Sequence, residues 1–320
     1  MEYSDLTIAD RRSGLPSLAR LHCIPRDEER GASSLLDRGG EGKMTYGGVG
    51  GPRTIPVALA EVIMGELIRR TDVAKGVSTL LLDRADRRNA LSIGLLTALC
   101  EAIGELEREP DARVLILRGA GPVFSAGLDL AEASDDALVE KSANCVKRAL
   151  ATVQKTPLIV IAAVQGGAFA GGAGLMAACD LAVAAQGAKF GFPEARRGLL
   201  PALICEVLRY KVREGDLRDL FLTGEAIGAA RAKEIGLVQR VVPEGELEAE
   251  AERIAREILA GGPETIRATK RLLNGVWGHG GEAAPHNLSQ THLEARRSPE
   301  AREGLQAFLD KRPPNWFSPE

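Results

Sequence analysis

Histidine is nearly missing from the body of this 320-residue chain. Its four histidines are His22, His279, His286 and His292, and none lies between residues 23 and 278. That gap weakens any reading as a Ser/His/Asp or Cys/His hydrolase, or as a histidine-rich metal site. Aromatic residues are scarce, at 4%, which argues against a surface that stacks nucleic-acid bases. Neither sign of charge dominates: 41 Lys and Arg face 44 Asp and Glu, a net charge of -3. No polybasic face advertises a nucleic-acid or anionic-membrane partner. The five cysteines are odd in number and none forms a CxxC pair, so reduced, mostly buried thiols are expected. No basic segment followed by an apolar signal run opens the sequence. A cytoplasmic protein with no metal and no membrane partner is the expectation.

Glycine, by contrast, is plentiful, with 36 residues, and five of them fall within one apolar stretch, "IAAVQGGAFAGGAGLMAACD" (161–180). The charge-free run around it, Thr156 to Cys179, is long enough to cross a bilayer. A buried strand, a glycine turn and a buried helix account better for glycines clustered at its middle. A nucleotide loop is a poor fit. There is no GK[ST], and Gly167, Gly171 and Gly174 do not match GxGxxG spacing. Glycines that merely allow tight strand–helix packing remain an alternative.

The remaining pattern alternates strands and helices. "VSTLLLDR", "RVLILRGA" (113–120), "PLIVIAAVQG" (157–166), "DLAVAAQ" (180–186) and "AKFGF" (188–192) read as strands. "ALSIGLLTALCEAIGELERE" (90–109), capped by Ser92, and "DDALVEKSANCVKRALATVQKT" (135–156) carry apolar residues at helical spacing. Such alternation predicts an α/β protein. Residues 1–63 mix charge, Ser and Gly without periodicity and read as a poorly ordered extension. Met64 stands just before the folded pattern and is a candidate translation start.

Two small-residue turns follow strands: "GPVFSAGLDL" (121–130) and the turn within 161–180. Small residues let a ligand approach the main chain, where free N–H groups can point at it. Gly171 and Gly172 fall at a helix start, where N–H groups are unpaired and the dipole is positive. One N–H from each turn would make an oxyanion hole. The candidate acid/base is Glu194 in "FGFPEARRGLLP" (190–201). An apolar setting would raise its pKa towards the working range; pairing with Arg196 or Arg197 is the alternative.

Taken together, "DRADRRNALS", "FSAGLDL", "AAVQGGAFAGGAGLMAACD", "FGFPEARRGLLP" and "AKEIGLVQRVVP" resemble the enoyl-CoA hydratase/isomerase (crotonase) family from about residue 70 to 316. The resemblance implies a crotonase-like ββα spiral core over 64–260 and a helical C-terminal trimerisation region over 261–320. It implies homotrimers, often paired as hexamers, and acyl-CoA thioester substrates with no separate cofactor. By motif, the oxyanion N–H groups belong to Leu128 and Gly171, flanked by Gly127, Asp129 and Gly172. CoA would run past Arg88, Ala90, Ser125 and Ala126. Lys311 in "LDKRPPNW" matches a basic position that reaches its phosphates, and a solvated surface lysine explains it equally well. Hydratases of the family use two glutamates. Glu194 matches the later one, and Gly174 stands at the earlier one. A single glutamate resembles the family's double-bond isomerases, so isomerisation is the expected reaction. A hydratase that recruits a carboxylate from Asp129, Glu132, Asp135 or Asp136, or a non-catalytic acyl-CoA binder, are the alternatives.

Overall fold

The computed structural model describes residues 67–278, 285 and 287–317, plus the backbone of short strands between residues 7 and 63. Apart from those strands, the stretch expected to be poorly ordered lies outside the described residues, as does Met64.

One sheet organises the molecule. Its strands run, from edge to edge, Arg240–Val242, Leu181–Ala185, Ile159–Val164, Val114–Gly119, Val77–Leu82, Ile68–Ala74 and Glu61–Ile63. The five from Arg240–Val242 to Val77–Leu82 are parallel to their neighbours, and the last two are added antiparallel. The hairpin between Ile68–Ala74 and Val77–Leu82 turns at Gly76, which has φ +82°.

Strand side chains alternate between faces, and here each face meets a different layer. Leu80, Leu82, Leu115, Leu117, Val160, Ala162 and Val164 join one core with the helices Ile93–Leu106, Val139–Lys155 and Gly171–Ala178. Val77, Val114, Ile116, Ile161, Ala163 and Val183 join a second core with the helix Leu247–Ala260. Covering both faces is why "IVIAAV" is apolar without alternation: all six residues are buried. Helix Ile93–Leu106 buries Leu95, Leu96, Leu99, Ala102, Ile103 and Leu106, at helical spacing. Each large aliphatic side chain so buried contributes about 2 kcal/mol. Its expected cap is present, with Ser92 Oγ accepting from the Leu95 N–H at 3.2 Å.

A three-stranded sheet of Gly167–Phe169, Lys189–Gly191 and Ile227–Gly228 stands beside the first. It leads from the end of Ile159–Val164 into the glycine-rich helix Gly171–Ala178. The C-terminal part is helical, with Pro263–Trp277, Leu288–Arg296 and Pro299–Leu309. The first of these is fastened to the core by Lys270, whose Nζ donates to Asp180 Oδ2 and to the Leu158 carbonyl, both at 2.7 Å. Asp180 Oδ2 also accepts from the Val160 N–H at 2.8 Å, so a buried ammonium has a fixed counter-charge. Among the described residues no helix is long and apolar enough to cross a membrane, and Cys100, Cys145, Cys179 and Cys205 are free thiols.

Candidate active site

Three turns converge where the parallel strands end. The first follows Val77–Leu82 and carries Arg84 to Leu91. The second follows Val114–Gly119 and carries Gly121 to Asp129. The third joins Gly167–Phe169 to its helix. Asn89 ties the first two together. It is fully buried, and its Nδ2 donates to the carbonyls of Ala120 at 2.8 Å and Val123 at 2.9 Å. Its Oδ1 accepts from the Arg84 N–H at 3.0 Å. Arg88 and Asn89 both have positive φ, 51° and 52°. An asparagine tolerates this conformation better than most residues.

Ser125 continues the chain of bonds. Its Oγ donates to the Asn89 carbonyl at 2.8 Å and accepts from the Gly127 N–H at 3.2 Å. Gly127 has φ +95°, and a methyl group there would lie 2.8 Å from the Phe169 carbonyl and 3.4 Å from the Gly171 nitrogen. No side chain fits, so the second and third turns touch through bare backbone. Gly172 serves the same contact, because a methyl on it would lie 2.7 Å from Ser125.

This packing leaves two donors free. Leu128 pairs with Leu91 in an isolated parallel bridge. The bonds run from Leu91 N–H to the Gly127 carbonyl, at 2.8 Å, and from Asp129 N–H to the Leu91 carbonyl, at 3.3 Å. The N–H of Leu128 itself therefore points away from Leu91. Among the described residues it has no acceptor, and neither has the Gly171 N–H. Gly171 is the first residue of its helix, where the N–H is unpaired and lies at the positive dipole end. The Leu128 side chain packs against Gly171: a methyl there would sit 3.5 Å from Leu128 Cδ2.

Beside these donors lies a cavity of about 420 Å³, within the size range of small-ligand sites. Asp86, Arg87, Arg88, Ala90, Ala126, Leu128, Asp129, Leu130, Ala131, Ala170, Glu194, Arg197 and Leu199 line it. Of the residues singled out in the sequence, Glu194, Leu128, Arg88, Ala90, Ala126 and Asp129 thus share one cavity. Ser125, Gly127, Gly171 and Gly172 form the packed backbone behind it. Lys311 is exposed at the end of the last helix and is not among the lining residues.

Glu194 is the buried acid of this cavity, 8% exposed. Its Oε2 is buried with no hydrogen-bond partner. The pairing alternative does not hold, since no ion pair joins Glu194 to either arginine; Arg196 Nε donates instead to the Thr223 carbonyl at 2.8 Å. Burial pushes the Glu194 carboxyl above the usual glutamate range, partly opposed by the local backbone and by the Arg197 charge.

Asp129 lines the same cavity in a different state. Arg84 Nη1 binds its Oδ2 at 2.6 Å, and Oδ1 caps the Ala131 N–H at 3.1 Å. The Arg84 contact holds its carboxyl below the usual range. Glu132 accepts from the Ile93 N–H at 2.7 Å, and Asp135 from the Ala137 N–H at 2.9 Å. These loop acids are occupied as caps.

The position that lacks an acid is filled from outside. A side chain on Gly174 would collide with Ile204 Cγ2 and lie 3.0 Å from Ile204 Cβ. Ile204, in the helix Ala202–Leu208, is buried. Sequence reasoning did not reach this pairing, nor the roles of Arg84 and Asn89. The only local signal was an asparagine inside an arginine-rich turn. Among the described residues no cluster of three or more His, Cys, Asp or Glu could hold a metal ion.

The family "Enoyl-CoA hydratase/isomerase" matches residues 72–319. A Thermus thermophilus protein provisionally named as an enoyl-CoA hydratase is 37% identical over 250 residues, which is 76% of this chain and 99% of that protein. The enoyl-CoA hydratase EchA19 of Mycobacterium tuberculosis is 35% identical over 246 residues, 73% of this chain and 91% of its own. The crystal structure of an enoyl-CoA hydratase from Bacillus anthracis superposes with a TM-score of 0.71 at 32% identity, covering 78% of this chain and 98% of that one. With its central sheet, its helical C-terminal region and its paired glycine turns, this chain belongs to the enoyl-CoA hydratase/isomerase family, as an enzyme of the crotonase fold.

Proposed function

We propose that this protein isomerises the double bond of an enoyl-CoA thioester, with Glu194 as its only proton carrier. The observation that carries the reading is the contrast between two carboxylates in one cavity. Glu194 is buried, unpartnered and raised in pKa, whereas Asp129 is locked to Arg84 and lowered. Only the former suits proton transfer near neutral pH.

In this mechanism the thioester carbonyl accepts from the Leu128 and Gly171 N–H groups. Negative charge grows on that oxygen as a C2 proton leaves, and each donor is worth about 3 kcal/mol at the transition state. Ionised Glu194 takes the proton from C2. The electron pair of that C–H bond forms the C2–C3 double bond, and the old C3–C4 pair takes the proton back from Glu194 at C4. Nothing is oxidised, and no water is consumed. The CoA portion would run past Arg88, Ala90 and Ala126, with Ser125 holding the turn beneath it, and Lys311 would reach the phosphates. The exposed Leu305, Phe308 and Leu309 of the last helix support a homotrimer built on the C-terminal region.

A hydratase is the second reading, favoured by the relatives' names. Exchange of Glu194 for Gln tests the shared premise. Glu194→Gln is expected to lower turnover by about a thousandfold, within the range a positioned acid/base supplies. Binding of an acyl-CoA, followed by calorimetry, should stay within about threefold of the unmodified protein. Retained turnover would remove Glu194 from the mechanism.

A further inference from the structure

Two neighbouring arginines in the turn after Glu194 face different fates. Arg196 is spent on structure: its Nε donates to the Thr223 carbonyl, and it packs beneath Gly224. Arg197 lines the cavity, and among the described residues no carboxylate pairs with it. Of the arginines in the first turn, Arg87 has Asp86 at 3.7 Å and Arg84 is held by Asp129, whereas Arg88, like Arg197, lines the cavity with no carboxylate partner among the described residues. Arg197 shares a backbone turn with the candidate base. Both belong to one 3₁₀ turn, in which the Arg197 N–H donates to the Glu194 carbonyl at 2.9 Å. Its charge is close enough to act on the Glu194 carboxyl. Apolar Leu199, just after this turn, and Leu130 line the same space.

An exposed cation with no ion-pair partner, in the mouth of the cavity near the proton carrier and beside apolar side chains, is poorly suited to a plain hydrocarbon acyl chain. Its guanidinium would lose water on substrate binding and gain nothing in return. An anionic group on the substrate would supply the missing partner through a charge-assisted, bidentate contact. Arg88, Ala90 and Ala126, along which the CoA portion is placed in the reading above, line the same cavity. We propose that Arg197 receives a carboxylate at the far end of the acyl group, so that this enzyme acts on CoA thioesters of short dicarboxylic acids. The proposal rests on the acyl-CoA reading and adds the substrate class to it.

The test compares two thioesters of equal length, 3-hexenoyl-CoA and 3-hexenedioyl-CoA, which differ only in the terminal carboxylate. The unmodified enzyme is expected to prefer the diacid by about tenfold or more in kcat/KM, since a site built for a polar group rejects the analogue lacking it. In Arg197→Leu the ratio should collapse towards unity, and Arg197→Lys should restore part of it. The same two acyl groups carried on pantetheine, which lacks the nucleotide phosphates, separate the two possible anions. The preference for the diacid, and its loss in Arg197→Leu, should persist there. If Arg197→Leu weakens both CoA thioesters equally and spares both pantetheine thioesters, Arg197 serves the phosphates and the proposal fails. An unchanged ratio in Arg197→Leu also overturns it. Turnover of the monoacid with no preference for the diacid would sink this proposal alone, whereas turnover and binding of neither series would sink the acyl-CoA reading beneath it.

Discussion

Glu194, the proposed proton carrier, departs from what stability alone would select. A carboxylate whose pKa is raised by burial binds its proton more tightly in the folded than in the unfolded chain. Its contribution to stability is therefore fully present below the unfolded glutamate pKa. It is lost as pH rises from there through the higher folded value. Glu194→Gln has no such loss, so its melting temperature relative to the unmodified protein should climb over that window and plateau above it. Thermal melts of both proteins from mildly acidic to neutral pH read this directly, and a constant offset would contradict a raised pKa. Gly174 carries the complementary prediction. Because Ile204 fills the space a side chain there would need, Gly174→Glu alone should destabilise the protein by about 2 kcal/mol, as overpacking does. Combined with Ile204→Ala it should fold and gain water addition to a 2-enoyl-CoA. Gain of hydration by the single variant, at full stability, would show that Ile204 does not guard the position.

At the scale of elements, the glycine-rich turn holds its donors at a cost. Ala170, just before the helix Gly171–Ala178, has φ 49° and ψ -125°, a region that suits glycine rather than an L-residue. Its N–H is held by the Gly191 carbonyl at 2.9 Å, so the strand and helix on either side fix the conformation. Replacing Ala170 by Gly should relieve strain of about 2 kcal/mol, offset by roughly 1 kcal/mol of extra unfolded-chain entropy. Chemical denaturation should find the variant more stable by about 1 kcal/mol. A loss of stability would mean the turn is not strained. Much of this element was legible beforehand, because a strand, glycines and an apolar helix without charge leave few alternatives. The strain was not legible, since it depends on partners in another strand. The hairpin strand Ile68–Ala74 also escaped: "IRRTDVA" shows no apolar alternation, and only its pairing with Val77–Leu82 reveals it. Arg70 in that strand is spent on Asp72 and Glu109, a long-range use of charge that spacing cannot show.

For the whole molecule, the parallel sheet brings three loops distant in sequence to one end of the strands. This is where open α/β sheets commonly bind ligands. The buried strands, the amphipathic helices and the motif residues could be read from sequence because each is a local pattern. What could not be read is which groups are spoken for. Asp129 and Glu194 look alike in a sequence, yet one is paired and the other is not. Gly174 looks like a simple vacancy, yet Ile204 has closed it. Those distinctions carry the proposed reaction, and they arise only when the loops meet. The central claim is that one glutamate moves a proton within the substrate and no water is added. Mass spectrometry of products formed from 3-enoyl-CoA and from 2-enoyl-CoA in heavy water tests it most directly. The account predicts conversion of the 3-enoyl to the 2-enoyl thioester with no product heavier by a water. Accumulation of 3-hydroxyacyl-CoA from the 2-enoyl substrate would contradict it.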